Sequence, residues 1–163
     1  MKITDLTTYD DIRAALGVAK SELKDNTVSL AVYRNNLQIE LDKVGSGLLA
    51  AFEGLSDDDS LWTEPERTFA NLVQLFSTYA VAKHLTVSLP LFSPKEISDG
   101  KSHITRYAVD PYKATVEGIH TLYETYRSAL VEAFKALTSS SSTSVVRTFM
   151  SVAAAASDPV TGN

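Results

Sequence analysis

From residue 112 onward, apolar side chains return with the period of a helix. Val116, Ile119, Tyr123, Tyr126, Leu130, Ala133 and Leu137 are spaced by 3, 4, 3, 4, 3 and 4 residues, which places them on one helical face. Asp110-Pro111 supplies an N-cap followed by a proline suited to the first turn. The pattern predicts a helix from Pro111 to Leu137, about 40 Å long at 1.5 Å per residue. A second helix announces its start with Thr63-x-x-Glu66, a capping box, and with Pro65 in the first turn. Phe69, Leu72, Phe76, Tyr79, Lys83 and Val87 share one face, with Val73 and Ala80 beside it, and Leu75, Ala82, Leu85 and Leu89 share another. A helix apolar over so much of its circumference is expected at the centre of a bundle, and Pro90 and Pro94 stop it.

Upstream, Leu30, Tyr33, Leu37, Leu41, Val44 and Leu48 are spaced by 3, 4, 4, 3 and 4 residues. One helix is predicted from about Thr27 to Phe52, its face widened by Val32 and Ile39. Gly45 and Gly47 weaken the last two turns, since glycine costs about 1 kcal/mol relative to alanine in a helix. A short first helix follows Thr8, which has Asp11 three residues on as a capping partner. It carries Ile12, Ala15 and Leu16 and ends at Gly17. "VAKSELKDN" reads as a polar connection and "EGLSDDDS" as a loop. Asp99-Gly100 reads as a turn, with Lys101 to Tyr107 extended after it.

Past Leu137 the pattern breaks. "TSSSSTS" has the composition of a flexible linker. In "VVRTFMSVAAAASDPVTGN", Val146, Thr148, Met150 and Val152 alternate with Val145, Arg147, Phe149 and Ser151. This is too apolar for a solvated tail, so it is either an arm that docks on a partner or a short helix folding back. The prediction is an all-α fold: a bundle of three long helices plus a short N-terminal helix, with an extended C-terminal arm. Residues 1–138 form the bundle domain, and residues 139–163 the linker and docking arm.

At 163 residues the chain is expected to be one domain with such an arm. Its formal charge of −5, from 20 acidic and 15 basic side chains, argues against a surface built to neutralise phosphates, though not against DNA passing without being held. There is no cysteine, so disulfides and thiolate metal sites are excluded. "MKITDLTTYDDI" has no apolar signal core, and no apolar run approaches the roughly 20 residues that span a bilayer. A soluble protein is expected.

The candidate chemistry fails on spacing. Gly100-Lys101-Ser102 resembles the end of a P-loop, but the first glycine belongs at residue 95, which is lysine, and the triplet follows prolines and a helix. Glu117-x-x-His120 has the spacing of carboxylate-bridged di-metal bundles, which need a second such pair. The other histidines are His84 and His103, and the position three before His84 is Val81. Counted from Asp57, the calcium-loop glycine and glutamate positions hold Trp62 and Thr68, so Asp57-Asp58-Asp59 reads as a solvated loop. No serine lies in a G-x-S-x-G elbow. Neither a catalytic set nor a cofactor is expected. Tyr107, Tyr112, Tyr123 and Tyr126 fit an interface and a core edge equally, although only the last two follow the core period.

The order of segments resembles the head-to-tail connector, or adaptor, proteins of tailed bacteriophages. The likeness rests on "YDDIRAALGV", "LAVYRNNLQIELDKV", "FANLVQLFSTYAVAKHL", the proline-broken "FSPKEISDGKSHITRY" and "PYKATVEGIHTLYETYRSAL", and spans roughly residues 8–135. It implies a structural virion protein at the head–tail interface, present in the host cytoplasm during assembly. Such subunits form a ring, usually of twelve copies, between the portal protein and tail or nozzle proteins, and DNA passes through the lumen without specific binding. On this likeness Val145, Val146, Arg147, Phe149, Met150 and Val152 would bind the portal. Lys101, Ile104, Arg106, Tyr107 and Tyr112 would face a neighbouring subunit or the tail. The competing expectation is a small helical protein-binding module, a regulator or assembly chaperone.

Overall fold

The computed structural model describes residues 2–88, 96–98, 103–105 and 112–152, with side chains over residues 2–88 and 113–139. The described backbone is almost entirely helical: α1 Tyr9–Leu16, α2 Asp25–Val28, α3 Ala31–Val44, α4 Leu48–Glu53, α5 Glu64–Leu85 and α6 Tyr112–Val152. Between α5 and α6 a short antiparallel ladder pairs β1 (Glu96–Ser98) with β2 (His103–Thr105), Ile97 opposite Ile104. The chain is an all-α protein carrying this one ladder among the described residues. β2 lies inside the stretch predicted to be extended. The Asp99-Gly100 turn, Pro90, Pro94 and the Asp110-Pro111 cap lie outside the described residues.

α1 starts and stops where its sequence dictates. Thr8 Oγ1 accepts the Asp11 N–H at 3.0 Å, and Gly17 closes the helix at φ +68°, a conformation glycine adopts without a Cβ clash. The polar connection after it is not a surface stretch of chain: Leu23 within it is fully buried, as is Val28 at the end of the α2 turn that it runs into. Arg13 explains how. Its guanidinium, also buried, donates to Asp10 and Asp25 at 2.6 Å each and to the Leu23 carbonyl at 3.2 Å. Both carboxylates raise the Arg13 pKa, those hydrogen bonds being the largest cause. Charge pairing from one buried side chain thus pins a polar stretch against the core.

The single helix expected from Thr27 to Phe52 is instead three pieces. Leu30 is extended at ψ 142°, and the chain leaves α3 through Gly45 before Gly47, at φ +85°, leads into α4. A Cβ on Gly45 would lie 2.6 Å from the ring of Phe134, so this glycine lets α6 approach the backbone. The break also turns the face: Leu37, Leu41 and Leu48 are buried, whereas Val32 and Ile39, expected to widen that face, are 53% and 51% exposed. They sit across α3 from the core, whereas the carboxylate of Glu40 faces inward.

α5 is the central element, packed against α1, α3 and α6. Its capping box forms, with the Thr63 N–H donating to Glu66 Oε2 at 2.8 Å. Phe69, Val73, Phe76, Ala80, Val81, Ala82 and Leu85 are fully buried, while Val87 lies exposed in the 3₁₀ turn beyond the helix end. From α6, Ile119, Tyr123 and Leu130 are buried, and Val116, Tyr126, Ala133 and Leu137 pack partly buried against the same core. Phe76 meets Tyr123 at 5.4 Å and Tyr79 stacks on Tyr126 at 5.3 Å, so these two tyrosines belong to the core.

α6 does not stop at the serine run. Its backbone stays helical through residues 139–152, where the composition predicts a flexible linker and an extended arm. Serine is only a few tenths of a kcal/mol poorer than the good helix formers, and no glycine or proline occurs between Gly118 and Pro159. The Thr138 hydroxyl donates back to the Phe134 carbonyl at 3.0 Å.

Candidate functional site

Among the described residues, the buried carboxylate with partners from three helices is Glu40 of α3. It occupies the helical line of Tyr33, Leu37 and Val44, a position its neighbours make apolar. Tyr123 of α6 donates its hydroxyl to Glu40 Oε2 at 2.7 Å, and Lys43 Nζ reaches Oε1 at 3.4 Å. Lys83 of α5 lies over the Tyr123 ring, 3.7 Å from its centre, a cation–π contact. His84 Nε2 stands 3.9 Å from Glu40 Oε1 and is buried without a hydrogen-bond partner.

Burial acts to raise the Glu40 pKa, but the Tyr123 and Lys43 hydrogen bonds, with the charges of Lys43 and Lys83, outweigh it and hold the carboxylate below its ordinary value. Burial, then the bonded carboxylate, pushes the Tyr123 hydroxyl up. Burial also lowers His84, helped by Lys83 and Lys43 and opposed by Glu40. Glu40 is therefore an ionised acceptor with its oxygens engaged, which suits fastening α3, α5 and α6 together. A general base needs an oxygen free for substrate.

The grooves of the described surface lie elsewhere. One of about 560 Å³ runs between α1 and α5, lined by Asp11, Ala14, Ala15, Leu75, Thr78 and Tyr79 among others. Another of about 680 Å³ lies among α4, the start of α5 and Leu137 of α6. Beneath the first groove the buried hydroxyls of Thr7 and Thr78 meet at 2.6 Å, with Thr78 donating onward to the Gln74 carbonyl.

The sequence-predicted positions scatter. Glu117 pairs with Lys113 at 3.9 Å on the exposed flank of α6, and His120 is exposed beside it. Asp58, read as a solvated loop residue, caps a 3₁₀ turn by accepting from the Ser60 N–H and hydroxyl at 3.0 and 2.6 Å. Ile104 lies in β2, and Tyr112 opens α6. Val145, Val146, Arg147, Phe149, Met150 and Val152 fall on the helical backbone of distal α6. Lys101, Arg106, Tyr107 and the Gly100-Lys101-Ser102 triplet lie outside the described residues. Among the described residues no three histidine, aspartate or glutamate side chains are grouped to hold a metal ion, and no helix is long and apolar enough to cross a membrane.

Compared with protein-family models, with characterised proteins and with solved structures, the chain matches none.

Proposed function

We propose that this protein is a structural subunit of a head-to-tail adaptor: copies form a ring between portal and tail in a virion and extend the DNA channel. The bundle of this reading is built on α3, α5 and α6 with α1 against α5, and its arm is the part of α6 beyond Ser139. The observation that carries most weight is the order of elements. A short capped helix, a middle helix, a long central helix, a short extended ladder and a long last helix follow one another in the sequence order of the connector-like segments. The net charge of −5 suits a lumen past which a polyanion slides.

In this reading the subunit works by shape and contact and needs no catalytic group. Its partners are other copies of itself, the portal protein and tail or nozzle proteins. Ring-forming contacts join two different patches of the same chain, which closes into a ring when the rotation between copies divides a full turn.

The test is to mix purified protein with the portal of its virion and image the product by electron microscopy. A ring of this chain stacked coaxially on the portal is expected. A protein that stays monomeric and off the portal, yet captures a helical peptide from another assembly factor, would replace this reading with that of a small binding module.

A further inference from the structure

In the Glu40 cluster two nitrogens face one carboxylate oxygen. Tyr123 fixes Oε2 by its 2.7 Å hydrogen bond, so any exchange of partners is left to Oε1. Lys43 Nζ reaches that oxygen at 3.4 Å, and His84 Nε2 stands 3.9 Å from it. Neither has closed to the length of a strong charge-assisted hydrogen bond, about 2.7–2.9 Å. The two competitors differ in how freely they leave. The Lys43 side chain is 55% exposed, so it returns to water by rotation about its own bonds. His84 is carried by α5 one residue before that helix ends at Leu85, and its Nε2 is buried without a hydrogen-bond partner.

A neutral imidazole offers at most one uncharged N–H, and across 3.9 Å it makes no hydrogen bond to the carboxylate. A protonated imidazole donates from both nitrogens, and Nε2 then becomes a charged donor about 1 Å short of bonding distance. The other charges acting on the ring are Lys43 of α3 and Lys83 of α5. From α6 the neutral Tyr123 hydroxyl enters the cluster, with Arg127 and Glu124 acting on that tyrosine. A proton on His84 therefore adds a third cation beside a single buried carboxylate. Lys83 stays engaged over the Tyr123 ring at 3.7 Å, which leaves Lys43 as the cation able to depart. We propose that His84 is a proton-operated switch: protonation passes Glu40 Oε1 from Lys43 to His84 Nε2, replacing a contact within α3 by an ion pair between α3 and α5. The Lys43 ammonium turns to solvent, so acid uncovers a lysine that neutral pH keeps on the carboxylate. The new pair offsets part of the cost that burial and the two lysines set against the proton, which still leaves the His84 pKa depressed. The switch belongs to the bundle and holds whether or not the chain is an adaptor.

Full-length protein labelled with 13C and 15N is titrated downward from about pH 7.5 by NMR, with His84 assigned by the signals missing from His84→Gln. Crystal structures are then determined at the starting pH and on the acid plateau of the His84 titration. In the acid structure the Nε2–Oε1 distance is expected to close to about 2.8 Å, with the Tyr123 bond kept. Lys43 Nζ is expected to lie beyond the ion-pair reach of about 4 Å. In solution the Lys43 side-chain resonances should titrate at the His84 midpoint in wild type and not in His84→Gln. Lys43→Gln, at an exposed position, should stay folded and move the His84 midpoint to higher pH by removing the competitor. An acid structure in which Lys43 keeps Oε1, or in which the imidazole turns away from Glu40, overturns the proposal. So does a Lys43 that ignores the His84 titration, a His84 midpoint unmoved in Lys43→Gln, or a His84 that takes its proton only as the chain unfolds.

Discussion

Tyr123 shows how much a single hydroxyl decides. Its ring fills a core position between Phe76 and Lys83, and its oxygen satisfies a carboxylate that would otherwise be buried with only a lysine at 3.4 Å. Tyr123→Phe keeps the packing and removes the donor, so it is expected to destabilise by about 1–3 kcal/mol, read as a lower thermal midpoint. The same loss in a Glu40→Leu background should be much smaller, because the acceptor is then gone. His84 gives a pH signature. Its folded pKa is depressed, first by burial, so the folded state resists protonation. Stability is full above the ordinary histidine value near 6.5 and declines as pH falls from there toward the folded value. Thermal midpoints between about pH 7.5 and pH 5.5 should fall in wild type and fall less in His84→Gln. Glu40, also depressed, adds a further loss only below about pH 4.3, the ordinary glutamate value.

Among the elements, the junction of α3 and α4 is the most constrained. Gly45 is not there for its backbone angle, since φ −179° is open to any residue. It is there because Phe134, itself stacked on Phe69 at 6.0 Å, occupies the space a Cβ would need. Gly45→Ala is expected to cost about 1–3 kcal/mol through overpacking, and Phe134→Leu in the same chain should recover part of it in denaturant titrations. Gly47→Ala acts by another route, strain at φ +85°, and should cost about 1 kcal/mol whatever stands at position 134.

For the whole molecule, α6 runs on beyond the end of its core-facing line. Its core-facing residues end at Leu137, so deletion after Thr138 is expected to leave the helical spectrum unchanged and the thermal midpoint within about 2 °C. Under the adaptor reading, stable attachment to the portal should be lost. A truncated chain that unfolds would place residues 139–152 in its own core. One that still assembles would put the contact on the bundle instead.

The sequence alone determined the helices that carry their own boundary signals. α1 has Thr8 and Gly17, α5 has Thr63, Pro65 and Glu66, and the buried line of α6 follows from one unbroken period, because capping and helical spacing are local. It also determined that Gly100-Lys101-Ser102 and Glu117-x-x-His120 lack the spacing their chemistry requires. Tertiary structure decided what depends on distant neighbours. Glu40 points inward because Tyr123, 83 residues away, receives it; the one local hint was its place on the line of Leu37 and Val44. Arg13 is buried because Asp25 and the Leu23 carbonyl come to it across a polar connection, and no period marks such a stretch. At the second break in the stretch Thr27–Phe52, residue 45 is glycine because a ring from α6 fills the space a Cβ would need. Val32 and Ile39 are left outside because the face α3 buries is chosen by α5, and hydrophobicity along one helix cannot say which of two apolar lines a neighbour will cover.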